Sequence, residues 1–339
     1  MTEDPDRPDL RRRILFAALL GLFVYAALAA HRDARGVLRA LRQIPPWAPL
    51  LMCALSLANY AIRFPRWQRY LEIIGSPTRG KASALIYLSG LSLTVSPGKV
   101  GEAIKSWALR REDGTALATS APIVLAERIT DLFGFLVLIL VFGLAAASLR
   151  APTPLEVAIT LVAFVLGTGA AWMLVSNRIR EAALRMAARV PLLRPRIDRG
   201  RLLLDSGAEL LHPRELPRAT LLASLGWGLE CIGAFIVARS VLPEATTPEL
   251  GLALVGYSFA VAAVAGAVVV IAPGGLGVTE GLFAALLTTG YRAEGLAMAE
   301  ASALALSVTF VVRLCTLWLG MAVGLVALWC HRRALSTRP

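Results

Sequence analysis

The chain has 339 residues, of which 57% are hydrophobic and 17% charged, with a formal net charge of +12. A mean hydropathy of +0.65 lies far above that of a soluble domain and marks an integral membrane protein. The positive charge does not point to nucleic acid. The basic residues lie in loops between apolar runs, as the positive-inside rule and anionic lipid attraction expect, and no basic domain stands apart from them.

Arg11, Arg12 and Arg13 precede an apolar run from Ile14 to Ala30. The run is too long for the apolar core of a signal peptide and reads as a first transmembrane helix. Further apolar segments fall at about 47–63, 82–96, 117–148, 154–176, 219–242, 250–272, 274–290 and 296–330. Basic clusters place both termini in the cytoplasm. The loop at 31–46, with Arg32, Arg35, Arg39 and Arg42, then falls outside as an exception. The basic loops at 63–81 and 99–111 fall inside. Arg63 and Arg66 flank Pro65, and read as anchors reaching for the interface beside Trp67 and Tyr70.

Two apolar stretches end on the same short motif. The first copy is Ser96-Pro97-Gly98-Lys99-Val100-Gly101-Glu102. The second is Ala272-Pro273-Gly274-Gly275-Leu276-Gly277, with Glu280 three residues on. Pro-Gly cannot continue a helix. At membrane depth, broken backbone is tolerated only where protein buries it or a wet cavity receives it. Paired breaks in the two halves of a chain point to a transporter's binding site. The expected fold is an all-α polytopic membrane protein. Its first repeat half covers about 47–176 and its second about 219–330, arranged as an inverted repeat. Six spans with two opposed re-entrant hairpins satisfy the topology, and so do eight full spans.

The intervening stretch, about 177–218, is rich in arginine and reads as cytoplasmic. A solvated connector is the simpler reading; amphipathic helices on the membrane surface are the alternative.

After Pro97 and Pro273 a restarting helix would aim its amides and dipole inward, a setting suited to phosphate. Lys99 and Lys105 add positive charge. The competing reading is a tight helical turn with glycines for packing. Glu102 and Glu280, in the first turns, suit capping. Glu127, Arg128 and Asp131 lie inside an apolar run, and Glu127 and Asp131 share a face at i, i+4. Charges there face a cavity or a partner. They form either a headgroup site or a neutralised ion network. Glu230 and Arg313 lie near the middles of their spans and are paired by guess. Cys53, Cys231, Cys315 and Cys330 lack metal or redox spacing, and His31, His212 and His331 are scattered, so no metal and no cofactor are expected.

These residues resemble the flippase-like, lysylphosphatidylglycerol synthase transmembrane-region family. The matching stretches are 96–114, 124–134 and 272–281, with Arg313 and the tract Asn59-Tyr60-Ala61-Ile62-Arg63 plus Trp67. The resemblance implies a lipid-translocating bundle with re-entrant helices. Its relatives resemble the flippase half of the multiple peptide resistance factor. With the sequence stopping at Pro339 and no aminoacylating domain visible, lipid synthesis is not expected.

The expectation is therefore a lipid flippase or scramblase of the bacterial inner membrane rather than an enzyme. Its partners would be phospholipid or polyprenyl-phosphate lipids, a lipid-synthesising enzyme, and a second copy as a homodimer. No nucleotide-binding GxxxxGK[ST] loop is present. The alternatives are a scaffold for a glycosyltransferase and a membrane enzyme acting on lipid-linked phosphates.

Overall fold

The structure is a computed structural model that describes residues 34–95, 103–147, 151–189, 197–242, 250–269 and 273–336. The first expected span and the first Pro-Gly copy (Pro97, Gly98, Lys99, Gly101, Glu102) lie outside the described residues. Among the described residues the regular structure is helical. In chain order the helices are α1 (Ala34–Gln43), α2 (Trp47–Ile73), α3 (Gly80–Ser89, continued by a 3-10 turn to Leu93) and α4 (Ile104–Asp113). Next come α5 (Leu117–Ala146), α6 (Pro154–Val175), α7 (Asn177–Arg189), α8 (Ile197–Leu210) and α9 (Leu216–Arg239). The last are α10 (Leu252–Val268), α11 (Val278–Ala293), α12 (Met298–Arg313), a π-helical turn (Leu314–Trp318) and α13 (Leu319–Ser336).

Among the described residues, four helical stretches are long and apolar enough to cross a membrane: Leu117–Ala146, Pro154–Val175, Leu216–Arg239 and Met298–Leu335. At 1.5 Å per residue α5 is about 45 Å long, more than the roughly 30 Å of bilayer hydrocarbon. Helix α10 is apolar but shorter. Helix α2 holds the expected second span but is not among the four. Its C-terminal half carries Arg63, Arg66, Arg69 and Glu72, and it runs along α9 in the interior of the bundle.

Small residues allow these helices to approach. A Cβ on Gly226 of α9 would collide with Asn59 and Arg63 of α2, and one on Gly233 would collide with Met52. Gly134 of α5 faces Ala223 and Ser224 of α9 in the same way. Close approach through small residues replaces the hydrophobic driving force that lipid surroundings remove.

Two helix pairs have their bases at opposite ends of α9. The first is α3 and α4. Its base is closed where Ser76 and Thr78 donate to Asp113 Oδ2 at 2.5 and 2.7 Å. That base follows the C-terminus of α2, where Arg69 pairs with Glu215 just before α9 begins. The second is α10 and α11. Its base is closed by the Leu250 amide donating to Glu294 Oε1 at 2.6 Å. It lies at the far end of α9, where the Tyr291 hydroxyl donates to the Ala238 carbonyl.

The turn between α10 and α11 uses positive φ at Gly274, Gly275 and Gly277, a conformation costly for any residue with a Cβ. A Cβ on Gly274 would sit 3.2 Å from Val95 Cα. Val95 directly precedes the first Pro-Gly copy, and it packs with Leu276, Leu317 and Met321. The chain leading into the first break thus touches the second break inside the protein.

Two connecting stretches are helical. In 177–218 the connector has one face packed on the bundle. Helices α7 and α8 form a hairpin held by Arg180–Asp205 and Arg201–Glu181 pairs at 2.8 and 2.7 Å. Leu210 and Leu211 are buried in the same core cluster as Ile123 and Leu174, and Gly207 lets α8 settle against Pro122 and Leu174. The apolar face of α8 outweighs its charge. The 31–46 loop contains α1, which packs on α12; Ser307 Oγ donates to the Val37 carbonyl at 3.0 Å.

Gly324 of α13 packs against the backbone of Leu91 and Ser92, where a Cβ has no room. Gly324→Ala is expected to destabilise by about 1–3 kcal/mol. Gly281→Ala, at a position open to space, is expected to stabilise by up to about 1 kcal/mol. Thermal unfolding in detergent compares the two. The base of the first hairpin is also pH-sensitive. Partial burial pushes the Asp113 carboxyl up, but hydrogen bonds from Ser76, Thr115 and Thr78 outweigh it and hold it below its ordinary value. A depressed carboxylate stabilises the fold above the unfolded-state value and loses that contribution as pH falls through the folded-state value. Amide exchange around Thr78 and Thr115 should therefore rise only below the ordinary carboxylate range. Asp113→Asn should raise it already at neutral pH.

Candidate functional site

Helix α5 places Glu127, Thr130 and Asp131 on its buried face. Asp131 is held by three guanidinium groups. Arg63 Nη2 lies 2.7 Å from its Oδ2, Arg66 Nη1 2.9 Å from its Oδ1, and Arg128 Nη2 3.1 Å from its Oδ2. Arg66 Nη1 also donates to Thr130 Oγ1 at 2.9 Å. One turn away, Lys105 Nζ of α4 pairs with Glu127 Oε2. The Lys105 ammonium lies 5.1 Å from the Trp67 ring centroid and 6.0 Å from that of Tyr87. Its stem crosses Gly90, where a Cβ would come within 2.7 Å. Arg63 stacks over Trp227 at 4.7 Å. Such aromatic faces offset part of the cost of burying a cation.

The balance of charge is the informative quantity. Arg63, Arg66, Lys105 and Arg128 face two carboxylates, Glu127 and Asp131. Arg66 is 2% exposed, yet its Nε and Nη2 have no hydrogen-bond partner, and neither do Arg63 Nε and the Tyr70 hydroxyl. Donors left unmatched in an apolar interior are costly. A cavity of about 10 Å³, room for one water, reaches Arg66 between α2 and α9 beside Arg69, Tyr70, Glu215 and Arg218. The cluster is a cationic surface with unspent donors.

The second Pro-Gly turn is organised differently. Arg313 Nε donates to Glu280 Oε1 at 2.6 Å, and its Nη2 donates to the Gly274 carbonyl at 3.0 Å. Glu280 Oε2 accepts from the Gly277 amide at 2.7 Å. The start of α11 is therefore closed by its own glutamate, three residues in, rather than left open to an anion. Gly275 packs on Gly266 and Thr279, and Pro273 opens the 3-10 turn. The π-helical turn that follows Arg313 lets the Thr316 carbonyl accept from Tyr60 of α2 at 3.1 Å.

Three assignments change. Glu230 and Arg313 do not pair: Arg313 takes Glu280, and Glu230 accepts from Asn59 Nδ2 at 2.6 Å. Arg63 and Arg66 are not interfacial anchors; both are buried on Asp131. Trp67 and Tyr70 are buried with them, and Trp67 donates to Ser83. A signal for this was present. Asn59, Arg63, Arg66 and Tyr70 recur at i, i+4, i+7 and i+11, one polar stripe on an otherwise apolar helix.

The structure brings Lys105, Glu127, Arg128 and Asp131 together. It places Glu230 next to them through Asn59, and sets Gly274, Gly275, Gly277, Glu280 and Arg313 at the second break. An apolar cavity of about 380 Å³ lies between α5, α6 and α10, lined among others by Leu136, Leu140, Gly143, Leu161 and Tyr257.

Asp131→Asn removes the one carboxylate that three guanidinium groups share. It is expected to destabilise by about 3–5 kcal/mol, the usual effect of stranding buried charge. Arg128→Gln, at a side chain 27% exposed, should cost clearly less. Unfolding midpoints of the two variants test the order.

Residues 13–324 match the family model for the lysylphosphatidylglycerol synthase TM region. No curated protein matches the chain. With most of its length covered, the chain belongs to that family and is a multi-pass membrane protein of lipid-related type.

Proposed function

We propose that this member of the family is a lipid flippase or scramblase that carries an anionic headgroup past the Arg63–Arg66–Arg128 cluster, with no covalent step. The observation that carries the reading is the excess of buried cations with unmatched guanidinium donors. Guanidinium recognises phosphate through paired, charge-assisted hydrogen bonds. A phospholipid or polyprenyl-phosphate group would satisfy those donors where water is scarce. The chain leading into the first Pro-Gly copy touches the second break where Val95 meets Gly274, and in this reading the two copies supply the re-entrant elements of an inverted repeat. In that reading the halves are about 47–176 and 219–330, and the headgroup crosses between them. The 380 Å³ apolar cavity suits a hydrocarbon tail that stays in the bilayer. An inner-membrane location with both termini in the cytoplasm follows from the arginine-rich loops. A lipid-synthesising enzyme would supply the passenger.

The test is leaflet exchange of fluorescent lipids in proteoliposomes, comparing anionic, aminoacylated and polyprenyl-phosphate headgroups. Losing a charge-assisted hydrogen bond costs about 1.5–3 kcal/mol, so Arg66→Gln should slow exchange roughly ten- to hundredfold. Folded wild-type protein that exchanges none of these lipids would overturn the proposal.

A further inference from the structure

Glu230 differs from the buried carboxylates of the two ionic clusters. Asp131, Glu127 and Glu280 each sit on at least one cation. Glu230 is 2% exposed, lies well inside the apolar span Leu216–Arg239, and among the described residues forms no ion pair. Its hydrogen bond comes from the neutral amide of Asn59.

The charged groups around it are turned elsewhere. On α2, Arg63 is engaged with Asp131 and the Tyr60 hydroxyl with the Thr316 carbonyl. On α12, Arg313 is engaged with Glu280. On α5, Asp131 adds negative charge, and on α9 itself the neighbour is the buried thiol of Cys231. Helix α10 contributes no charged residue. The surroundings nevertheless hold unmatched polar atoms: Asn59 Oδ1, Ser56 Oγ one turn along α2, and Trp227 Nε1 one turn along α9. A lone carboxylate in such a place neutralises itself by taking a proton.

We propose that Glu230 is a proton-binding site whose proton moves with the anionic headgroup. The carboxylate takes a proton from water on one side, becomes a neutral acid, and returns the proton to water on the other. The link to the passenger is electrostatic. Asn59, which holds Glu230, lies one turn from Arg63, which holds Asp131. An anion seated on Arg63 and Arg66 removes positive potential from Glu230 and strengthens its hold on the proton. By reciprocity the proton strengthens anion binding. The passenger in this coupling rests on the flippase reading; the proton site rests on the geometry of Glu230.

Two experiments separate these. Infrared difference spectra of the protein in membranes, taken across neutral pH, should show the C=O stretch of a protonated carboxyl. The band should be lost on alkalinisation, absent in Glu230→Gln and retained in Asp113→Asn. No such band, or a band unchanged in Glu230→Gln, overturns the proton site. In proteoliposomes, coupling of one proton per lipid means that a pH gradient of one unit should shift the steady-state leaflet ratio of an anionic lipid up to about tenfold. The shift should vanish in Glu230→Gln and partly return in Glu230→Asp. Exchange that ignores the pH gradient, or follows a sodium gradient instead, overturns proton coupling and leaves the flippase reading standing. Absence of exchange with every lipid overturns the flippase reading and the coupling, while the infrared band still decides the proton site by itself.

Discussion

Asp131 is the point on which the architecture turns. An ionised side chain in an apolar interior is tolerated only with partners at short range, and this one recruits two arginines from another helix. That requirement draws the polar half of α2 into the bundle, against α5 and α9, although its sequence is too charged to match the other spans. Gly226 on α9 is the matching concession, because Asn59 and Arg63 occupy the volume of its missing side chain. The aromatic rings of Trp67, Tyr87 and Trp227 then surround the cations.

The same logic governs the second break. Arg313 could have been a second free cation in the interior, but Glu280 and the Gly274 carbonyl take it up. The ion pair ties α12 to the turn between α10 and α11 and leaves the helix terminus capped. The second break is a self-satisfied clasp, while the surplus charge lies with Lys105 and the α2 arginines around Glu127 and Asp131. Glu230 takes its hydrogen bond from Asn59 and, among the described residues, forms no ion pair.

The docked α7–α8 hairpin adds a structural consequence. It packs on the start of α5 and the end of α6, where Gly207 and Leu210 meet Pro122, Ile123 and Leu174. The opposite end of α5 opens instead onto the apolar cavity shared with α6 and α10. Charge and hydrocarbon are thus segregated along a single helix.

Composition and apolar periodicity were enough to identify a helical membrane protein, and the second Pro-Gly copy was enough to locate the break at Pro273–Gly277. Both follow from local rules: runs of about twenty apolar residues seek hydrocarbon, and Pro-Gly cannot continue a helix. The placement of Glu127 and Asp131 on one face was likewise readable from their spacing. What the sequence left open was every choice of partner. Arg63 and Arg66 look like interfacial anchors when the helix is read alone, because the carboxylate that holds them, Asp131, is more than sixty residues away in the chain. Glu230 and Arg313 look complementary at mid-span, yet Asn59 and Glu280 stand closer in space. The connector's arginines are visible in the sequence, while the groove that receives Leu210 and Leu211 is not. Pairing depends on distances between helices, and those distances exist only once small residues such as Gly207, Gly226 and Gly324 have let the helices close on one another.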